Sequence, residues 1–158
     1  MYIIPPSAVC LSASVLFLAG CGFFFKDPEV KVREIALRSF SLEELALDVS
    51  IFVKNPNALD ITMKTILFDL SYLAGNDWKH LTDGRVSGIK IKKGENMLTI
   101  PVTIRNTDLL QALMNMIING SIHLKIRGTA SPVLLFFAPD IPFVEEFAVP
   151  LPGRDVRH

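Results

Sequence analysis

The sequence predicts an all-β sandwich with a single helix. Apolar and polar residues alternate in repeated short runs, Gly, Asn and Asp turn signals separate those runs, and only 108–118 carries a helical apolar pattern. The 158 residues suit one domain with an extra segment, and 50% hydrophobic residues supply ample material for a core. Sixteen basic and sixteen acidic side chains cancel, so the balance of charge gives no support for a nucleic-acid surface. Both cysteines, Cys10 and Cys21, lie near the N-terminus, which excludes a disulfide framework or a cysteine metal site from the body of the protein.

No Lys, Arg, Asp or Glu precedes Lys26. Ala8 to Ala19 is an apolar run of signal-peptide length, followed by Leu18-Ala19-Gly20-Cys21. This order resembles the lipobox of prokaryotic lipoproteins, in which small residues admit the peptidase and the cysteine thiol takes the lipid. Cys21 is the expected lipid attachment site, residues 1–20 the signal peptide and 21–29 the anchored linker. Met1 to Ser7 lacks the usual basic start, and Tyr2 to Phe25 is uncharged and long enough to span a bilayer as an uncleaved anchor. In either form the body is tethered to a membrane at its N-terminus, with Phe23, Phe24 and Phe25 expected at the lipid interface.

Val30 to Phe40 reads as a strand with Val30, Val32, Ile35 and Leu37 inward, and the change of phase implies a bulge near Arg33-Glu34. In Leu45 to Val53 the residues Leu45, Leu47, Val49, Ile51 and Val53 share one face. That strand runs into Asn55-Pro56-Asn57. Proline ends the ladder there, and the asparagine side chains are expected to take up backbone groups that the turn leaves unpaired.

Ile61 to Leu73 alternates again, with a second bulge expected near Lys64-Thr65. Trp78 to Ile91 gives one or two strands around Asp83-Gly84 and Gly88. Lys92 to Asn96 reads as a charged hairpin turn, and Leu98, Ile100, Val102 and Ile104 mark the next strand. Asp108 with Gln111 has the form of a capping box, and Asn119-Gly120 supplies the helix stop. Apolar residues cover most of this helix, so it is expected either to plug one end of the sandwich or to offer a Met- and Leu-rich surface. Ile122, Leu124 and Ile126 form a strand ending at Gly128, and the proline-broken stretch from Pro132 to Pro152 fits kinked edge strands. The tally is about seven strands, a sandwich of the immunoglobulin or fibronectin type spanning 30–152, followed by a polar tail at 153–158.

A strand entering Asn55-Pro56-Asn57, a strand ending at a Gly-Asn turn, LTIPVTI, one helix and a strand ending at Gly128 together resemble the water stress and hypersensitive response (WHy) domain. This is the unit of the atypical, hydrophobic late embryogenesis abundant proteins, and the resemblance covers Val30 to Leu151. It implies a fibronectin-like sandwich with one helix, no catalytic activity and an association with desiccation and other stress. Many prokaryotic members look like lipoproteins.

Chemistry is sparse. There is no phosphate loop, dinucleotide fingerprint or nucleophile elbow, and Ser87 to Lys90 spells Ser-x-x-Lys in strand context. Asp77, His80 and Asp83 form the compact acid–histidine group but fall short of a closed metal site. No cofactor, metal, nucleic-acid partner or enzymatic activity is expected. The expected role is that of a lipid-anchored protein on the extracytoplasmic face of a prokaryotic envelope, protecting membranes or client proteins. The contact surface is expected at Leu109 and Met116 on the helix and at Leu134 and Phe136 on the edge. The alternative is an envelope interaction module that holds one partner through an edge strand or loop.

Overall fold

The computed structural model describes residues 25–105, 108–133 and 139–150. Seven strands and one helix follow in order: β1 (Glu29–Phe40), β2 (Leu45–Asn55), β3 (Ile61–Ala74), β4 (Asp77–Ile91), β5 (Gly94–Ile104), α1 (Asp108–Asn119), β6 (Ser121–Val133) and β7 (Ile141–Pro150). They form a three-stranded sheet, β1-β2-β5, packed on a four-stranded sheet, β4-β3-β6-β7, with all neighbours antiparallel. The expected sandwich with one helix is the observed fold.

The two phase changes in the sequence mark real irregularities. The β1–β2 register shifts between Val32 and Glu34, and the β3–β6 register shifts between Met63 and Thr65. Each bulge lets one strand keep its apolar residues inward on both sides of an odd spacing. β2 is the central strand of its sheet, so it is buried more fully than its alternation suggests. Leu45, Leu47, Val49, Ile51 and Val53 fill the interior, and Ala46 and Phe52 on the outer side are buried as well. The Arg33 guanidinium lies 4.7 Å over the Phe52 ring and covers that side.

Two expectations need correction. Lys92-Lys93 does not close a hairpin, because β4 and β5 belong to different sheets and the link crosses the sandwich. β6 does not end at Gly128 but runs on to Val133, and β4 is a single strand, one of the two forms expected. Packing explains both Gly84 and Gly128. Gly84 and Gly128 flank Phe68 on either side in the sheet, and Gly128 in turn faces Phe143. A Cβ at Gly84 would fall 1.9 Å from Cζ of Phe68, and one at Gly128 would fall 2.3 Å from Cζ of Phe143 and 2.4 Å from the Leu67 carbonyl oxygen. Each glycine makes room for a buried aromatic ring folded across its strand.

The helix links β5 to β6 across one end of the sandwich. Ala112, Leu113 and Met116 are buried against the core, whereas Leu110, Met114, Ile117 and Ile118 are exposed. The helix is thus covered on one face only. Gln111, expected in a capping box, accepts hydrogen bonds through Oε1 from the Tyr72 hydroxyl (3.2 Å) and from Lys79 Nζ (3.1 Å). Gly120 takes φ +72°, as the expected stop requires. Among the described residues no helix is long and apolar enough to cross a membrane.

Gly84→Ala and Gly128→Ala should each cost about 1–3 kcal/mol of stability through overpacking. Gly128→Ala should be the worse, because a backbone carbonyl cannot turn aside as a ring can. Urea unfolding of each variant checks both the size and the order.

Candidate functional site: the asparagine corner

Asn55 and Asn57 are the buried polar side chains of the described structure, at 1% and 7% exposure. Burying two carboxamides is unfavourable unless their hydrogen-bonding groups are met. Here they are. Among the described residues no buried side-chain nitrogen or oxygen lacks a partner.

Asn55 ends β2, opposite Gly94, which adopts φ +88°. Its Oδ1 accepts from the Asn57 N–H (3.0 Å) and from Asn57 Nδ2 (3.0 Å), closing the turn around Pro56. Its Nδ2 donates to the Leu59 carbonyl (2.8 Å) and more weakly to the Lys92 carbonyl (3.4 Å), tying the corner to the β4–β5 crossover. This is the backbone role that the sequence suggests for the corner.

Asn57 does something the local sequence does not show. Its Nδ2 donates to the Lys26 carbonyl (2.9 Å), and its Oδ1 accepts from the Lys26 N–H (2.8 Å). One side-chain amide thereby completes the two-way exchange that a strand neighbour would offer. It clamps the chain where it joins the fold. The adjacent Phe25, expected beside the lipid, is partly buried and packs against the core. Phe23, Phe24, the lipobox Leu18-Ala19-Gly20 and Cys21 fall outside the described residues.

The same end of the sandwich carries an ordered set of charges. The Asp60 carboxylate accepts from the Lys93 N–H (3.0 Å) and lies 3.3 Å from Lys90 Nζ. The Lys93 amide, and then the Lys90 ammonium, hold this carboxyl below its ordinary range. The hydrogen bond from Lys31 does the same for Glu29. Asn96 closes the crossover, accepting from the Lys92 N–H (3.0 Å) and donating to the Lys92 carbonyl (2.8 Å).

A second polar group lies on the outer face of the four-stranded sheet. Pairing of β3 with β4 sets Asp69 directly opposite Asp83, and a bulge at buried Leu81 brings His80 onto their face. His80 Nδ1 lies 2.5 Å from Asp69 Oδ2 and Nε2 lies 3.7 Å from Asp83 Oδ2, while Ser71 Oγ donates to Asp69 Oδ1 (2.8 Å). The partner of His80 is thus Asp69, not the expected Asp77, which sits at the hairpin end opposite Ala74. The three ligand atoms lie within 4.8 Å of one another on an exposed surface. They could offer a cation three ligands, one fewer than structural zinc sites supply. Next to them is a shallow dent of about 440 Å³, floored by backbone at Gly84 and Gly128 and edged by Leu67 and Arg127.

The expected apolar surface is partly displaced. Met116 is fully buried, because its turn of α1 faces the core. Leu134, Phe136 and the side chain of Leu109 fall outside the described residues. The exposed large apolar residues of the helix are Leu110, Met114, Ile117 and Ile118, a stripe that periodicity alone could not orient.

Asn57→Ala should lower stability by about 1–3 kcal/mol and speed hydrogen exchange at the Lys26 amide, since it leaves backbone groups without partners. Asn57→Asp keeps the acceptor for Lys26 N–H but loses the donor, so it should protect that amide better than alanine does. Ionised Asp60 and Glu29 favour the fold because their folded pKa values are depressed. That contribution is present above the ordinary carboxylate range and is lost as pH falls through the lower folded values. Unfolding measured from pH 6 to pH 2 should show stability declining below about pH 4, and Asp60→Asn should flatten part of the decline.

Comparison with known proteins places this fold. A family model described as late embryogenesis abundant protein (LEA_2) matches residues 50–146. An uncharacterized protein of Methanocaldococcus jannaschii is 29% identical over 135 residues, covering 85% of this chain and 74% of its own. The solution structure of AT1g01470 from Arabidopsis thaliana is similar with a TM-score of 0.58 at 14% identity, over 89% of this chain and 92% of that one. A solution structure assigned to the late embryogenesis abundant proteins, At2g46140.1, has the same TM-score at 16% identity, over 80% of this chain and 72% of that one. These likenesses show the fold, and the family match spans the corner and most of the sandwich: the chain belongs to the late embryogenesis abundant (LEA_2) family.

Proposed function

We propose that the protein is a non-catalytic, lipid-anchored member of this family, of the WHy type, that protects membranes or client proteins on the extracytoplasmic face of a prokaryotic envelope. The observation that carries the reading is the clamp on Lys26, which follows the lipobox cysteine Cys21 after only Gly22, Phe23, Phe24 and Phe25. A domain gripped so close to an anchor is built to be held at a surface. Family membership supports the protective role. The sequence supplies no nucleophile and base at a spacing that would bring them together, which favours a role without catalysis.

A folded sandwich cannot act as a disordered hydrating filler, since its composition is too apolar and its net charge is zero. Protection by this chain therefore works through a surface. Cys21→Ser should release the protein from membranes or block its processing, read by fractionation and by the mass of the mature N-terminus; undiminished anchoring would mean an uncleaved helix. A client enzyme dried or heated with the full-length protein in vesicles should keep more activity than with the same mass of albumin. Equal losses would remove the protective role.

A further inference from the structure

We propose that the outward face of α1 docks apolar segments of client polypeptides, and that it points away from the membrane that holds the anchor. The inference rests on the protective reading above and names the surface and the partner. From Leu109 to Asn119 the helix carries no charged residue. Leu110, Met114, Ile117 and Ile118 are exposed by 54%, 52%, 52% and 70% and fall on one stripe, spaced i, i+4, i+7 and i+8. The helix that presents them is fixed from behind by buried Ala112, Leu113 and Met116 and by the Tyr72 and Lys79 bonds to Gln111. Phe40, the last residue of β1, and Leu42, in the turn that follows at the same end of the sandwich, are 40% and 77% exposed. Six of the eleven large apolar side chains exposed among the described residues therefore gather at one end.

Geometry selects the occupant. The anchor side of the chain is clamped at the corner, and α1 lies at the other end of β2 and β5, each 11 residues long. At about 3.4 Å per residue the two ends stand roughly 34 Å apart. The stretch from Cys21 to Lys26 spans at most about 17 Å when fully extended. An anchored molecule thus has its corner end at the membrane and its apolar helix distal. A second copy would need far more surface. The helix is about 18 Å long and about 10 Å across, so its open face offers on the order of 200 Å², against roughly 800 Å² per partner in a stable interface. One segment of extended or helical polypeptide fits that area, held weakly and briefly. The flexible Met114 side chain suits partners of differing sequence.

Photo-crosslinking on the full-length protein in phospholipid vesicles tests this. Benzoylphenylalanine replaces Met114, or, as control, Met97, an exposed methionine on β5. The probe is reduced, carboxymethylated lactalbumin, a permanently unfolded chain. Cross-links to the unfolded chain at least fivefold more frequent from 114 than from 97 would support the docking face. Cross-links mainly to lipid, to a second copy or to residues 151–158, or equal yields from both positions, would overturn it. The double variant Met114→Glu, Ile117→Glu alters exposed residues only and should keep the wild-type unfolding midpoint while losing at least fivefold in client protection. Full protection by that variant would overturn the docking face and leave the protective role standing. A wild type no better than albumin would remove the protective role, and the cross-links would still decide the surface.

Discussion

A single carboxamide organises one end of this molecule. Asn57 exchanges hydrogen bonds in both directions with the backbone of Lys26, although the two residues are 31 positions apart. The amide is buried, so its partners are not interchangeable with water, and an unmet group there would carry a desolvation cost. Asn55 supports it from behind and reaches on to Leu59 and Lys92. Pro56 fixes one backbone angle between them. The start of the fold, the exit of β2 and the crossover from β4 to β5 are joined at one point, and no step in the network needs a charged side chain.

That arrangement gives the sandwich two unlike ends. The corner end is polar, hydrogen-bonded and next to the N-terminal segment; the other is closed by a helix that buries one apolar face and leaves the other open. Between them the core depends on shape as much as on apolar area. Phe68 and Phe143 fold across Gly84 and Gly128, so the four-stranded sheet has aromatic rings where neighbouring strands have no side chain. The charged groups on the outer face, including Asp69, His80 and Asp83, are exposed and contribute little to holding the sheets together.

Much of the fold was legible because strands write their faces into the sequence at a period of two. The alternation from Leu45 to Val53 marks β2, and the phase slips near Arg33 and Lys64 locate two of the bulges. What stayed hidden depends on partners distant in the chain. Lys92-Lys93 has the chemistry of a hairpin turn, and only the pairing of β5 with β2 reveals a crossover. Gly84 leaves one strand or two open until Phe68 is placed over it. Asp69 joins His80 only once β3 and β4 are in register, and a helix that is apolar nearly all round does not say which stripe the core will cover. The corner was half legible: its asparagines announce a turn, but nothing near them in the sequence points to Lys26.

The clamp is the central claim, and the hydrogen bonds themselves can be observed. Scalar coupling across the bond from Asn57 Nδ2 to the Lys26 carbonyl carbon, measured by NMR on the labelled full-length protein in nanodiscs, is the most direct test. The account predicts a resolved coupling and an Asn57 side-chain amide protected from exchange. An amide that exchanges with water as fast as an exposed asparagine, with no coupling to Lys26, would contradict it.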